Sequence, residues 1–197
     1  MKVQKPNILG APLSNWVPPP SPDQMHWNDE MQGRNVRLES LKAAKHCDNL
    51  FLEFAADTKN QIWDYLPYGP FETTADFADW MYATCTKSDP YFFAIIDQAT
   101  QRAVGVASYL NINPDSGSIE VGHINFAPKL QSTIGATEAM YLMMRWAFMA
   151  GYRRYEWKCN ALNLKSRRAA QRLGLSYEGV FRQATISKGR NRDTAWF

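Results

Sequence analysis

Hydrophobic and polar positions change their period several times along the chain, and each change marks an element. Val36-Arg37-Leu38-Glu39-Ser40-Leu41 alternates apolar and polar residues, which predicts a strand. Residues 42–56 then place Ala43, Cys47, Leu50, Phe51 and Phe54 at helical spacing. The stretch Trp63-Asp64-Tyr65-Leu66-Pro67-Tyr68-Gly69-Pro70-Phe71 is a loop by its prolines and glycine, and an unusually apolar one by its aromatics. Residues 74–86 predict a short helix with Phe77, Trp80 and Met81 on one face. Residues 91–97, 103–111 and 118–126 read as strands separated by turns at 98–101 and 114–117. Connections this short predict an antiparallel meander. Over residues 137–150 the period is helical again, with Met140, Met143, Met144, Ala147 and Phe148 inward and Gly151 as the stop. Residues 153–159 alternate, putting Tyr155, Trp157 and Cys159 on one face and Arg154, Glu156 and Lys158 on the other. Residues 163–173 form a further helix closed by Gly174, and 177–186 with 192–197 form a hairpin around 188–191.

Six of the eleven prolines fall within the first 22 residues, and proline there removes backbone donors and fixes φ. Residues 1–32 are therefore expected to be an extended arm laid over a domain spanning 33–197, pinned by Leu13, Trp16 and Trp27. The β-α-β unit at 118–159 requires a right-handed crossover between parallel or near-parallel strands. The expected fold class is α/β: a mixed, mostly antiparallel sheet with helices on both faces. Because the chain stops at Phe197 within a strand pattern, the sequence is expected to be truncated there.

Composition narrows the function classes. With 45% hydrophobic and 21% charged residues, dominant disorder is excluded. A net charge of +3, spread among acidic neighbours, does not mark a nucleic-acid binder. Cys47, Cys85 and Cys159 are an odd set without CxxC spacing or histidine partners, which argues against a disulfide framework and against structural zinc. The longest apolar runs, 91–96 and 139–144, fall short of the roughly 20 residues a bilayer demands, and no apolar segment follows Lys2 and Lys5 to make a signal peptide. A soluble cytoplasmic protein is expected, with no metal, membrane or nucleic-acid partner.

Two segments carry candidate chemistry. In the first, a strand (Glu120-Val121-Gly122-His123-Ile124-Asn125-Phe126) runs into a loop of small and hydroxylated residues, Gln131-Ser132-Thr133-Ile134-Gly135-Ala136-Thr137, and then into a helix. Outward-pointing amides at a helix N-terminus form a cradle for a pyrophosphate, and Gly135 and Ala136 lack bulk. An ordinary capped connection has the same pattern. The second segment, Asn163-Leu164-Lys165-Ser166 through Leu173-Gly174, follows a strand expected beside the first, and Asn163 also suits an N-cap.

Taken together, these segments resemble the GNAT superfamily of acyl-CoA-dependent N-acyltransferases, and within it the Rim-type branch related to ribosomal-protein N-terminal acetyltransferases. The resemblance runs from about Val36 to Phe197. It rests on the opening Gly-Arg-x-Val-Arg-Leu, Glu120 to His123, the Gln131 to Ala136 loop, Asn163-x-x-Ser166 and the closing Arg192 to Phe197. It implies two central strands that splay apart, with the pantetheine arm of acetyl-CoA bonding to Ile124, Asn125 and Phe126. The pyrophosphate would lie on the amides of Gln131, Ser132, Thr133, Ile134, Gly135, Ala136 and Thr137, with Asn163 opposite. Two positions depart from the superfamily pattern: Ile134 stands where the first loop glycine is common, narrowing the cradle, and Ala170 stands where many members carry a tyrosine acid.

The implied reaction moves an acetyl group to a primary amine, on a small molecule or a protein N-terminus, by direct attack in a ternary complex. Glu120 is the first candidate for the base and His123 the second, while Ser166 would serve the departing thiolate. Each has a structural alternative: a solvated strand carboxylate, a satisfied core histidine and a local cap. Trp63, Tyr65, Tyr68 and Phe71 would line the acceptor pocket or else plug the core. Cys159, without an adjacent base, reads as structural. A catalytically silent CoA-binding sensor is the alternative function, and the aromatic surface and the arm would suit a homodimer.

Overall fold

The computed structural model describes Leu13, residues 15–21 and residues 31–197. Trp27 and the side chain of Cys85 lie outside the described residues. Eight strands form one open sheet: β1 (Met31–Gln32), β2 (Val36–Ser40), β3 (Tyr91–Asp97), β4 (Ala103–Asn113), β5 (Ser118–Phe126), β6 (Arg154–Asn160), β7 (Gly179–Ser187) and β8 (Arg190–Trp196). Their order is β1-β2-β3-β4-β5-β6-β8-β7. Every neighbouring pair is antiparallel except β5 with β6, the two strands joined by a helical crossover.

Helices α1 (Ala43–Phe54) and α2 (Thr74–Cys85) cover one face of the sheet, and α3 (Ile134–Met149) and α4 (Leu164–Arg172) the other. Strand β3 shows why: Phe93 and Ile95 enter the core under α3, while Phe92, Ala94 and Ile96 enter the one under α1 and α2. A strand buried on both faces reads as an unbroken apolar run, as Tyr91 to Ile96 does. Met143 on α3 is fully buried, and its carbonyl accepts a 2.6 Å hydrogen bond from the equally buried Tyr109 hydroxyl. Burying side chains of this size stabilises the fold by about 1.5–3 kcal/mol each.

Three of the differences from the sequence pattern lie in α3 and the arm. Helix α3 starts at Ile134 rather than at 137, because Thr133 caps it by accepting from the Ala136 amide at 3.2 Å. Phe148 is not inward: it is 51% exposed, and Leu142 is buried instead. The buried stripe runs through Ala139, Met140, Met143 and Ala147, and Phe148 lies about 100° further around the helix. Finally, the last residues of the expected arm, Met31 and Gln32, form β1 and pair with β2.

Within the arm, Trp16 rather than the exposed Leu13 makes the contacts. Its indole donates to the Gly151 carbonyl at 3.3 Å, and Pro20 accepts from the Tyr152 hydroxyl at 3.1 Å. A second tie joins β2 to α3. The Glu138 carboxylate accepts from the backbone amides of Arg34, Asn35 and Val36 at 2.7–3.0 Å. Those bonds hold its carboxyl below the usual range against the opposing effect of burial. Gly33 makes room for this carboxylate, since a Cβ there would come within 2.5 Å of the Glu138 carboxyl carbon. Among the described residues, no helix is long and apolar enough to cross a membrane.

Candidate active site

Strands β5 and β6 pair only from Ser118↔Arg154 to Val121↔Trp157. Beyond Trp157, β6 turns to β8, pairing Lys158 to Asn160 with Trp196 to Thr194, while β5 continues against β4 alone. The divergence coincides with a bulge: between Ser108↔Gly122 and Val106↔Asn125, β5 carries one more residue than β4, and His123 has φ +50°. The central pair is therefore splayed. Backbone groups of β5 that would face β6 are left without a strand partner.

The bulge aims His123 at the α1/α2 face. Its ring stacks on Tyr68, with centroids 5.5 Å apart, and Nδ1 lies 3.3 Å from the Tyr68 hydroxyl. Phe92 stands 5.1 Å away on another side. Burial, assisted by the charge of Arg192, pushes the imidazole down to about 4, so it is neutral near pH 7.

Glu120 is 5% exposed on the same face. Its Oε2 accepts from Asn111 Nδ2 and from Lys158 Nζ, each at 2.7 Å. Lys158 also meets Glu156 at 2.9 Å and lies 3.9 Å over the Trp196 ring. Burial raises the Glu120 carboxyl above its ordinary value, and the Lys158 and Asn111 bonds offset only part of that rise. Oε1 lies on the side of Gly122, where the strands part; a Cβ on Gly122 would be 3.7 Å from it.

Ser166 lies across β6, in the first turn of α4. Asn163 caps that helix by accepting from the Ser166 amide at 3.0 Å. The Ser166 hydroxyl accepts from the Trp157 indole at 2.9 Å, which leaves its own proton to donate. Cys159 is a buried free thiol pushed up by desolvation, the state of an inert cysteine.

At the far end of β5, Gln131 Nε2 donates to the Phe126 carbonyl at 3.0 Å, Ser132 adopts φ +60°, and Thr133 caps α3. The small residues after them also serve packing: a Cβ on Gly135 would stand 3.0 Å from Val36 Cγ1, and Ala136 is buried. Ile134, at the start of the helix, is 76% exposed. The first-turn amides of Ile134 and Gly135 have no intrahelical acceptor and carry the positive end of the helix dipole. Free amides at α3 and unpartnered backbone along the split fit a pyrophosphate joined to an extended amide arm, as in acetyl-CoA.

The aromatic loop divides between two roles. Trp63 and Phe71 pack edge-on at 5.4 Å within the α1/α2 core, against Phe77. Tyr68 covers His123, and Tyr65 donates to the Leu162 carbonyl at 3.3 Å across the split. The sequence pattern missed the partners that set Glu120's state. Asn111 and Lys158 come from the two strands flanking β5, and only the alternation of Glu156 with Lys158 hinted at a charged face.

Residues 35–176 match the family described as acetyltransferase (GNAT) domain. A search of curated proteins returns no match. Among solved structures, a GCN5-related N-acetyltransferase from Brucella melitensis is 44% identical with a TM-score of 0.88, covering 94% of this chain and 82% of that one. A GNAT-family protein from Chromobacterium violaceum ATCC 12472 is 37% identical with a TM-score of 0.86, covering 98% and 96% respectively. RimL, a ribosomal L7/L12 alpha-N-protein acetyltransferase, shares the fold at 17% identity and a TM-score of 0.72, over 85% of this chain and 91% of that one. The chain belongs to the GNAT acetyltransferase family.

Proposed function

We propose that this acyl-CoA-dependent acetyltransferase moves the acetyl group of acetyl-CoA directly onto a primary amine within a ternary complex, in the manner of the Rim-type branch. The observation that carries the reading is the split between β5 and β6, which opens beside Glu120 and His123 on one side and beside Ser166 on the other. Pantetheine would bond along Ile124, Asn125 and Phe126, with Asn163 opposite. The pyrophosphate would lie along the loop from Gln131 to Thr137 on the free first-turn amides of Ile134 and Gly135, since those of Gln131, Thr133, Ala136 and Thr137 already donate within the loop and cap.

The amine attacks the thioester carbonyl carbon with its lone pair, so it must give up a proton. Glu120 takes that proton, directly or through one water, at Oε1, the oxygen that Lys158 and Asn111 leave open. His123, neutral and held by Tyr68, orients the acceptor and is the second choice of base. Amides of the splayed strand stabilise the oxyanion. The C–S bond then breaks, and the departing CoA thiolate is stabilised by a hydrogen bond from Ser166, whose oxygen is fixed by Trp157, before it takes up the proton that the amine gave to Glu120. GNAT family membership supports amine acetylation and leaves open which amine, since fold and acceptor are separable. Use of acetyl-CoA and the unbridged thiols of Cys47 and Cys159 fit a cytoplasmic setting.

Calorimetric titration of acetyl-CoA, followed by thiol release across a panel of amines, tests this reading. Binding with turnover that falls in Glu120→Gln and Ser166→Ala supports it. Binding without turnover on any amine overturns it in favour of a CoA sensor.

A further inference from the structure

Buried donors without acceptors collect on one face of the site. Arg192 Nε, Trp196 Nε1 and Asn125 Nδ2 are buried with no hydrogen-bond partner. Asn125, 2% exposed, lies opposite Val106, which belongs to the core under α1 and α2. Trp196 faces the same way, because Lys158 stacks on it while reaching Glu120. Strand β8 runs regularly from 192 to 196, so Arg192 shares that face. All three groups are N–H donors, which an oxygen-bearing ligand satisfies and another donor does not.

Arg192 is the one that carries charge. It forms no ion pair among the described residues. Carboxylates around the site have other partners: Glu120 has Lys158 and Asn111, Asp193 has the Gln183 amide at 2.8 Å and Asn191 at 3.0 Å, and Asp89, whose charge also reaches His123, has the Asn111 and Ile112 amides at 3.1 and 3.0 Å. Thr194 pairs with Asn160 at the end of β6, so Arg192 lies just beyond that strand, where the split opens. Its charge depresses both His123 on β5 and Cys159 on β6, which agrees with a position between the two strands.

Two contacts cross this face of the site. Lys188, at the tip of the β7–β8 hairpin, donates to the Trp63 carbonyl at 2.8 Å, and Tyr65 donates to the Leu162 carbonyl. These two clasps tie the aromatic loop to the hairpin and to the β6–α4 loop, over a wall made by Tyr68 and His123. A face bounded by two clasps and an aromatic wall suits a small molecule better than a polypeptide. A partly buried cation without a counter-ion is costly until a ligand supplies one.

We propose that Arg192 binds a carboxylate carried by the acceptor, so that the substrate is a small amino-carboxylate whose amine is delivered to the thioester by that ion pair. The inference rests on the acetyl transfer proposed above and names its substrate class.

The test compares kcat/KM for free amino acids with that for their carboxamides, using acetyl-CoA as donor, in the wild type, Arg192→Met and Arg192→Lys. The expected wild-type preference for the acid is about 10- to 100-fold, the range of a hydrogen bond to a charged group. It collapses toward one in Arg192→Met and is partly kept in Arg192→Lys. Thermal melting and acetyl-CoA calorimetry establish that each variant is folded. An acid-to-amide ratio near one in the wild type, which needs no variant, overturns the proposal. So does a ratio unchanged in Arg192→Met, or a preference for peptides with a free N-terminus and no carboxylate. These results leave acetyl transfer standing. Failure of every amine despite acetyl-CoA binding overturns both readings.

Discussion

Replacing His123 with asparagine should flatten the acid side of the stability profile. The native imidazole titrates at about 4, against 6.5 for the free side chain. Between those values the unfolded chain takes up a proton that the native state refuses. A depressed native pKa contributes stability that is complete above 6.5 and is lost as pH falls toward 4. Between pH 7 and pH 5 the loss from this one group works out at about 2 kcal/mol. Asparagine suits the test because it does not titrate and tolerates the left-handed conformation at φ +50°. Urea unfolding of both proteins at pH 7, 6 and 5 gives the comparison. His46 and Glu39, whose pKa values are also lowered, titrate in both and cancel in the difference. The variant is less stable at pH 7, since stacking on Tyr68 and Phe92 is lost, but its stability falls about 2 kcal/mol less by pH 5. Parallel profiles would refute the reasoning and mean that the native imidazole titrates like that of the unfolded chain, near 6.5.

The remaining predictions concern the other site residues and one packing contact. Glu120→Gln should lower kcat/KM by about 10²- to 10⁴-fold. Because burial raises the Glu120 carboxyl above 4.5, wild-type activity should climb with pH through that raised value, and the pH–rate profile of the variant should lack that limb. Ser166→Ala leaves the buried Trp157 indole N–H without its acceptor, so urea unfolding should register a loss of about 1–3 kcal/mol alongside slower thiol release. Gly33→Ala drives a methyl group into the Glu138 carboxyl and should destabilise the fold by about 1–3 kcal/mol in the same assay; an unchanged midpoint would mean the β2–α3 tie is dispensable.

Local pattern made most of the fold legible. The alternation at 36–41 and 153–159, the helical spacing of Met140, Met143 and Ala147, and the caps at Thr133 and Asn163 each depend on neighbours within a few residues. Strand β1 escaped because two residues are too few to show a period, and its pairing comes from β2. The site was legible as a set of positions and illegible as a set of states. Glu120 stood out as a carboxylate on a strand, but its partners come from neighbouring strands through register that sequence does not display. The same holds for His123: no local signal announces a bulge, and the bulge decides which face the ring joins. Gly135 reads in sequence as space for a ligand, and in the fold its missing side chain also makes room for Val36 of β2, because small residues look alike whether the approaching group is a phosphate or a valine.

The four paired positions that join β5 to β6 also divide the molecule mechanically. Strands β1 to β5 form one hydrogen-bonded raft and β6, β8 and β7 a second, with a seam a few rungs long between them. A seam this short is the natural line of local opening, so residues 154–197 are the cooperative unit expected to detach first. Acetyl-CoA lying in the split would bond to both rafts and act as the missing rungs. Its binding then tightens the carboxy-terminal raft as well as filling a site, and amide exchange should slow most in β6, β7 and β8 while β2 and β3 hardly change. In this protein the substrate is also a fastener.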